Sequence, residues 1–415
     1  MPSGTSCSPT VSAMRDEAFR LFEAGVAAAD PESAVVKTLP DRKPDLIVAV
    51  GKAAPGMMRA AATRFGPVPA IVITHRENAK AELPPGVRLF LAGHPVPDEV
   101  GLAAGRAVLE AVSALAAGQN LLVLVSGGGS ALLPAPPDGV TLADKRELNR
   151  LLLASGADIS EMNLIRQQVS LLKGGGLTRA AAPADVVALI LSDVVGDDLS
   201  VIASGPTAAP VGTRSDARER LRARGLWPDL PVAIRACLER EDQPTAAASN
   251  HVDNRLVGSN TLSREAMARA AANAVLAREP LTGDVSEAAA RIMAEADGSG
   301  VWLWGGETTV RIRGEGKGGR NQELALRVAL LAEQAGWKND WVFLSAGTDG
   351  RDGPTEAAGA LVDGESLARM RAAGIDPEEA LARNDSNPAL AASGDLVITG
   401  STGTNVADLQ VMIRS

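Results

Sequence analysis

Residues 46–56 read Leu-Ile-Val-Ala-Val-Gly-Lys-Ala-Ala-Pro-Gly, five apolar residues that end at Gly51-Lys52 and pass into an alanine-rich helical stretch. An unbroken apolar run suits a strand covered on both faces, and the immediate turn into a helix is the wiring of a parallel βα unit. Similar runs recur at Ala70 to Thr74, Leu121 to Val125, Val186 to Leu191, Val301 to Trp304, Trp341 to Ser345 and Leu396 to Thr399. They predict an α/β protein with mostly parallel sheets, in which ligands gather at the carboxyl ends of the strands.

The residues just after each run are therefore the candidates. Lys52 stands at the end of the first run, where its ammonium is a point charge for phosphate. Ser126-Gly127-Gly128-Gly129-Ser130 follows Leu121 to Val125; three glycines allow consecutive N–H groups to converge on a phosphate or carboxylate, and two hydroxyls add donors. Asp193 follows Val186 to Leu191 and could hold magnesium together with phosphate oxygens, whereas Asp197 and Asp198 read better as local turn caps.

Further along, Gly305-Gly306-Glu307 precedes Thr309 to Arg313, whose polar-apolar alternation predicts a half-exposed hairpin strand. Gly314, Gly316 and Gly319 formally spell G-x-G-x-x-G, but the buried strand that must precede a dinucleotide fingerprint is missing. Arg320-Asn321 replaces the Lys-Ser/Thr of a Walker A loop, leaving an arginine at the start of an apolar helix, where dipole and guanidinium both favour an anion. Asp349 and Asp352, among three glycines, are candidates for a metal ligand or for the base that takes a hydroxyl proton. Gly400 to Asn405, with Thr402 and Asn405, repeats the hydroxyl-and-glycine theme of an anion turn. The three histidines are scattered and lack ligand spacing; His94, in a proline-fixed turn, is a secondary candidate for orienting substrate. So is Arg166, on the polar face of a helix predicted over 160–173 with Asp158 and Glu161 as its capping pair.

Composition narrows the classes. The 415 residues are 46% hydrophobic, enough for about two to three ordinary domains. A net charge of −9 and 2% aromatics with no tyrosine argue against nucleic-acid binding, which needs basic fields and stacking rings. Two cysteines, Cys7 and Cys237, exclude a disulfide framework and point to a reduced compartment. No secretory signal pattern is read at the start, and no apolar run approaches the roughly 20 residues of a membrane span, so a soluble cytoplasmic protein is expected. The Pro/Ala/Arg-rich region from Pro206 to about Asn254 is weakly periodic and suggests a boundary near residue 245: an N-terminal lobe over 1–245 and a C-terminal lobe over 246–415, with 246–300 able to pack with either.

Taken together, the stretches resemble the class II glycerate kinases, the glycerate 2-kinases whose C-terminal domain is called MOFRL. The matching blocks are Val48–Ala54 (VAVGKAA), Gly93–Asp98 (GHPVPD), Ser126–Leu132 (SGGGSAL), Asn163–Gly175 (NLIRQQVSLLKGG), Ser192–Thr207 (SDVVGDDLSVIASGPT), Gly305–Thr308 (GGET), Gly318–Glu323 (GGRNQE), Gly347–Gly353 (GTDGRDG) and Gly400–Leu409 (GSTGTNVADL). Ser401 and Ala407 stand where the family usually has proline and a second asparagine. The resemblance implies a Rossmann-like N-terminal lobe, a MOFRL lobe and an active site in the cleft between them. It further implies transfer of the γ-phosphoryl of ATP, with Mg2+ or another divalent cation, to the 2-hydroxyl of D-glycerate, with Lys52 and Arg320 as the main active-site cations. On this basis Asp193 and Asp349 are assigned to metal or hydroxyl orientation. Ser126 to Ser130, Glu307, Asn321, Thr402 and Asn405 are assigned to substrate or phosphate. A homo-oligomer is compatible with the sequence. The rivals are an NAD(P)H-dependent hydroxypyruvate reductase and a non-catalytic sugar-acid-binding protein.

Overall fold

The computed structural model describes residues 10–80, 82–241, 250–338 and 340–415; Cys7 and the expected boundary near residue 245 lie outside them. Continuous apolar runs became buried strands wherever helices could cover both faces. Four of them, β1 (Leu46–Val50), β2 (Ala70–His75), β4 (Asn120–Val125) and β5 (Asp185–Leu191), form one sheet with two half-buried edge strands, β3 (Val87–Ala92) and β6 (Val252–Gly258), in the order β3-β2-β1-β4-β5-β6. The pairs β1–β2, β2–β3, β1–β4 and β4–β5 are parallel, with Val50 opposite Val125. Val48, Val50, Val123, Val125 and Ile190 share a core with Ala104 and Val108 of helix Glu99–Ser113 and with Leu177 of helix Gly176–Ala181. The chain steps outward from β1 to β3 and then returns to lay β4 on the other flank of β1. The strand order therefore reverses between β1 and β4, the switch point at which such sheets bind ligands.

This sheet belongs to a compact unit, Pro31–Val257. Its second, smaller core is helical. Leu148 and Leu152 of helix Leu142–Ala154, Ile165 of helix Ile159–Gln168, Leu221 of helix Arg214–Ala223 and Ile234 of helix Val232–Glu239 pack together. The expected boundary region thus contains two helices. Their signal was weak because the first is arginine-rich and buries only Arg214, Ala217 and Leu221. The helix predicted over 160–173 ends at Gln168, and the six residues after Val169 form turns.

The other unit joins the described residues up to Asp30 to Gly258–Ser415. The first helix, Val11–Ala28, accordingly differs from its expected place in the N-terminal lobe: Met14, Leu21 and Phe22 bury against Met267, Leu344, Leu409 and Val411. The segment around residue 258 is divided, β6 serving the first sheet and helix Asn260–Ala270 the second unit.

The second sheet comprises β7 (Val275–Leu276), β8 (Leu281–Asp284), β9 (Gly300–Thr309), β10 (Trp341–Gly347), β11 (Gly359–Asp363), β12 (Leu396–Val397) and β13 (Asp408–Arg414), ordered β12-β11-β10-β13-β9-β7 with β8 also on β9. Here the expectation of mostly parallel pairing is corrected. β9–β13, β13–β10, β10–β11 and β11–β12 are antiparallel, whereas β7 and β8 run parallel to β9. Phe343 and Met412 pack with the apolar helix Arg320–Gln334, while Leu344 and Val411 pack with the first helix. A continuous apolar run reports burial on two faces, not strand direction. The predicted hairpin strand at 309–313 is also absent: β9 stops at Thr309, and Arg311 to Arg313 are exposed loop residues. Among the described residues no helix is long and apolar enough to cross a membrane.

Candidate active site

In the first unit, the loops after β1 and β4 are bolted together at the switch point. Gly51 sits at φ 125°, and a β-carbon there would fall 2.2 Å from Ser126 Oγ, so only glycine lets the two turns meet. The Ser126 hydroxyl accepts the Ala53 N–H at 3.0 Å and is 1% exposed. Contrary to expectation, it fastens the loops and is not available to a ligand. Lys52 donates its N–H to Gly127 O at 2.8 Å and accepts Asn78 Nδ2 on its own carbonyl at 2.7 Å, which fixes its backbone from both sides.

The turn itself keeps its donors. Gly128 is left-handed at φ 84°, and among the described residues no backbone carbonyl takes the N–H of Gly128, Gly129 or Ser130. Three consecutive open amides are the nest the glycine run predicts. Around it stand three titratable groups. A β-carbon at Gly127 would lie 2.1 Å from Asp193 Oδ2, and one at Gly128 would lie 3.2 Å from His94 Cδ2 and 3.4 Å from Lys52 Cγ, so Lys52, His94 and Asp193 converge on this turn. Burial raises the Asp193 carboxyl above its ordinary range, against its own N–H and the Lys52 charge. Loss of solvent around the ring lowers the His94 imidazole, and the Lys52 charge adds to that.

Ser130 is committed more deeply. Its hydroxyl lies 2.6 Å from Ser204 Oγ, which donates to Asn163 Oδ1 at 2.9 Å, and Ala203 and Ser204 are both held left-handed at φ 51° and 61°. Backbone strain of this kind persists only where packing over-determines it. Beside Gly128 and Ser130 opens a cavity of about 300 Å3 that is also lined by His94, Lys145, Arg166 and Lys173. Arg166 was a secondary candidate; Lys145 and Lys173 were missed.

In the second unit, Arg320 is the first residue of helix Arg320–Gln334. Its guanidinium is bidentate to Asp408, Nε–Oδ2 at 2.6 Å and Nη2–Oδ1 at 3.0 Å, and Nη1 meets Glu307 Oε1 at 2.9 Å. Burial works against that charge, but Asp408 and Glu307 more than offset it and the guanidinium is held above its ordinary value. Asp408, missed in the sequence, opens β13 with a fully buried side chain. A β-carbon at Gly347 would lie 3.4 Å from both Asp349 Oδ1 and Asp408 Oδ1, which places Asp349 beside the same cluster. Asp349 Oδ1 accepts the Arg351 N–H at 3.0 Å.

Several predicted ligands here are structural instead. The helix N-cap is Gly319, which has no side chain, so Asp352 caps from a distant loop, accepting the N–H of Asn321 at 3.2 Å and of Gln322 at 2.9 Å. Burial pushes the Asp352 carboxyl up to about 6, with Asp408 adding to it. Asn321 is 1% exposed and accepts Ser345 Oγ at 2.6 Å; Thr402 Oγ1 donates to Thr348 O at 2.6 Å; Asn405 Oδ1 accepts the Ala407 N–H at 3.2 Å. These three side chains hold their own turns.

Ala407, where the family usually has asparagine, lies at φ 64°. Asparagine and glycine tolerate that region, whereas alanine costs roughly 1–2 kcal/mol there. Ala407→Gly is expected to raise the melting temperature by about 1–4 °C, the lost methyl burial offsetting part of the gain, and to leave the KM for substrate unchanged. A lower melting temperature in a thermal scan would show that the methyl outweighs the strain.

Among the described residues no three His, Cys, Asp or Glu side chains form a metal cage. What the first unit offers is one carboxylate, Asp193, beside the Gly127–Gly128 turn, and what the second offers is Asp349 beside the buried Asp408. That donor set fits magnesium, which takes one or two carboxylates and completes its shell with phosphate oxygens and water.

Open amides with a lysine at the switch point of one unit, and an arginine-carboxylate cluster at a helix start in the other, are groups that suit phosphoryl transfer. The comparisons name the family. A model described as a domain of unknown function (DUF4147) matches residues 17–239, and the MOFRL family model matches residues 300–408. A D-glycerate 2-kinase of Thermotoga maritima is 40% identical over 94% of this chain and 96% of its own. A protein of Agrobacterium vitis that carries a provisional hydroxypyruvate reductase name is 42% identical over 95% of this chain and 93% of its own. The crystal structure of a glycerate kinase from Thermotoga maritima superposes with a TM-score of 0.89 at 37% identity, covering 97% of this chain and all of that one. The chain belongs to the class II glycerate kinase family with a C-terminal MOFRL domain, kinases that phosphorylate an alcohol group.

Proposed function

We propose that the chain transfers the γ-phosphoryl of ATP to the 2-hydroxyl of D-glycerate, giving 2-phospho-D-glycerate and ADP, as a cytoplasmic enzyme. The observation that carries this is the convergence of Lys52, His94 and Asp193 on three open amides at the switch point. Phosphoryl transfer asks the protein for little covalent work; it asks for donors that hold the moving phosphate and for an oriented hydroxyl. The amides of Gly128 to Ser130 and the Lys52 ammonium supply the donors; Arg320, in the other unit, is the second candidate cation. Magnesium, held by Asp193 or Asp349, would neutralise the triphosphate charge. His94, kept neutral by its surroundings, is free to accept a hydrogen bond from the acceptor hydroxyl.

The reductase name on one relative sets the competing expectation. A dinucleotide turn needs glycine two residues after Gly51, but Ala53 stands there and its N–H is taken by Ser126 Oγ. With D-glycerate, ATP and magnesium the purified chain is expected to release ADP in step with a product phosphorylated at C2 by phosphorus NMR, and chelation should abolish turnover. NADH loss with hydroxypyruvate, without ADP release from glycerate, would overturn the proposal.

A further inference from the structure

The cavity beside the nest is lined by three cations and no acid. Lys145 and Lys173 are each only 6% exposed. Lys145 Nζ donates to Val169 O at 2.8 Å, Lys173 Nζ to Ser130 O at 2.9 Å, and Arg166 Nε to Asn149 Oδ1 at 2.8 Å. Each ammonium therefore has two further N–H donors, and both terminal nitrogens of Arg166 carry no hydrogen bond among the described residues. No carboxylate among the described residues is ion-paired to any of the three. Burial pushes the Lys145 ammonium down to about 8 and that of Lys173 well below its ordinary value; the neighbouring Arg166 charge lowers both further.

A buried cation is normally paired, because desolvation without a counter-charge is expensive. Three such groups facing one cavity without an acid favour an anion supplied from outside, which would restore the full charge of both ammoniums. Apolar stretches of the wall at Pro134, Leu148 and Val169 suit a short carbon skeleton.

We propose that this cavity is the acceptor subsite, in which Lys145, Arg166 and Lys173 together clamp the carboxylate of a short 2-hydroxy acid; the assignment rests on the kinase proposal above. Lys173 reaches the cavity across the Ser130 carbonyl, and Gly128 and His94 share the cavity wall. A carboxylate held by the cations would thus leave the open amides for the incoming phosphate and set the 2-hydroxyl near His94. Recognition would require the carboxylate, so glycerol would be rejected.

The test compares D-glycerate, glycerol, inorganic phosphate and ADP as stabilisers of the whole chain in thermal scans, with calorimetry and steady-state kinetics on Lys145→Met, Lys173→Met and Arg166→Gln. D-Glycerate, and not glycerol, is expected to raise the melting temperature. Each variant should weaken D-glycerate by about 30-fold or more in Kd and KM, with the KM for ATP changing less than about threefold. The methionine variants remove an unpaired buried charge but also the donor to the Val169 or Ser130 carbonyl, so ligand-free melting temperatures are read alongside binding; Arg166→Gln, at a less buried position, keeps the test usable if either does not fold. Folded variants that bind D-glycerate as tightly as the parent, or that lose inorganic phosphate or ADP instead, would overturn the assignment. If the unaltered chain does not phosphorylate D-glycerate, yet these three residues still control its binding, the kinase proposal falls and the anion subsite stands. Turnover unaffected in all three variants would have the opposite meaning.

Discussion

Arg320→Ala is expected to lower kcat/KM for glycerate phosphorylation by about 10³-fold and to lower the melting temperature by roughly 5–10 °C. Two distinct losses are combined in that variant. The catalytic one follows from removing a preorganised positive charge from the transferring phosphoryl group, where single donors or arginines are worth about 10²–10⁵. The structural one follows from Asp408, which is fully buried and would lose a bidentate partner at 2.6 and 3.0 Å. Breaking a buried pair from one side costs about 3–5 kcal/mol, and the lower figure applies because the Arg320 side chain is one-third exposed. The double variant Arg320→Ala/Asp408→Asn separates the two. It removes the orphaned charge, so most of the melting temperature should return while turnover stays low. If turnover returns together with stability, Arg320 is a scaffold residue and its catalytic role is wrong.

The parts legible in the sequence were those that a single strand and its turn determine. Leu46 to Val50 and Leu121 to Val125 announce themselves because burial on two faces leaves no room for a polar residue, and Lys52 and Gly128 are found simply by reading on from them. Contacts that join distant segments carried no such signal. Lys145 and Lys173 look like ordinary solvated lysines, one within a polar helix and one in a loop, and only tertiary packing buries them. Arg320 and Asp408 are 88 residues apart, so neither points to the other. Asp352 was read as a metal ligand or base because aspartate between glycines suits either role; its actual work as a helix cap was hinted at by Gly319, an N-cap position with no side chain of its own. Strand direction in the second sheet was misjudged for a similar reason: Trp341 to Ser345 is covered on both faces like a parallel strand, although its neighbours run the other way.

Lys52→Ala is the second large effect, expected to cut kcat by about 10³-fold with almost no change in stability. Its ammonium has no ion-pair partner among the described residues, and the backbone bonds to Gly127 and Asn78 that fix the loop do not involve the side chain. Lys52→Arg should recover only part of the rate, because a planar fork does not place one charge where a compact ammonium did. The same charge has a readout independent of turnover. Lys52 lowers both the His94 imidazole and the Asp193 carboxyl, so its removal should raise the His94 pKa toward the ordinary histidine value and raise Asp193 further above the carboxylate range. With only three histidines in the chain, the imidazole titration is resolvable by proton NMR. A folded Lys52→Ala protein with more than about a tenth of parental turnover and an unmoved His94 titration would mean that the ammonium does not sit over the Gly128 turn, and the assignment of that turn to the moving phosphate would fail with it.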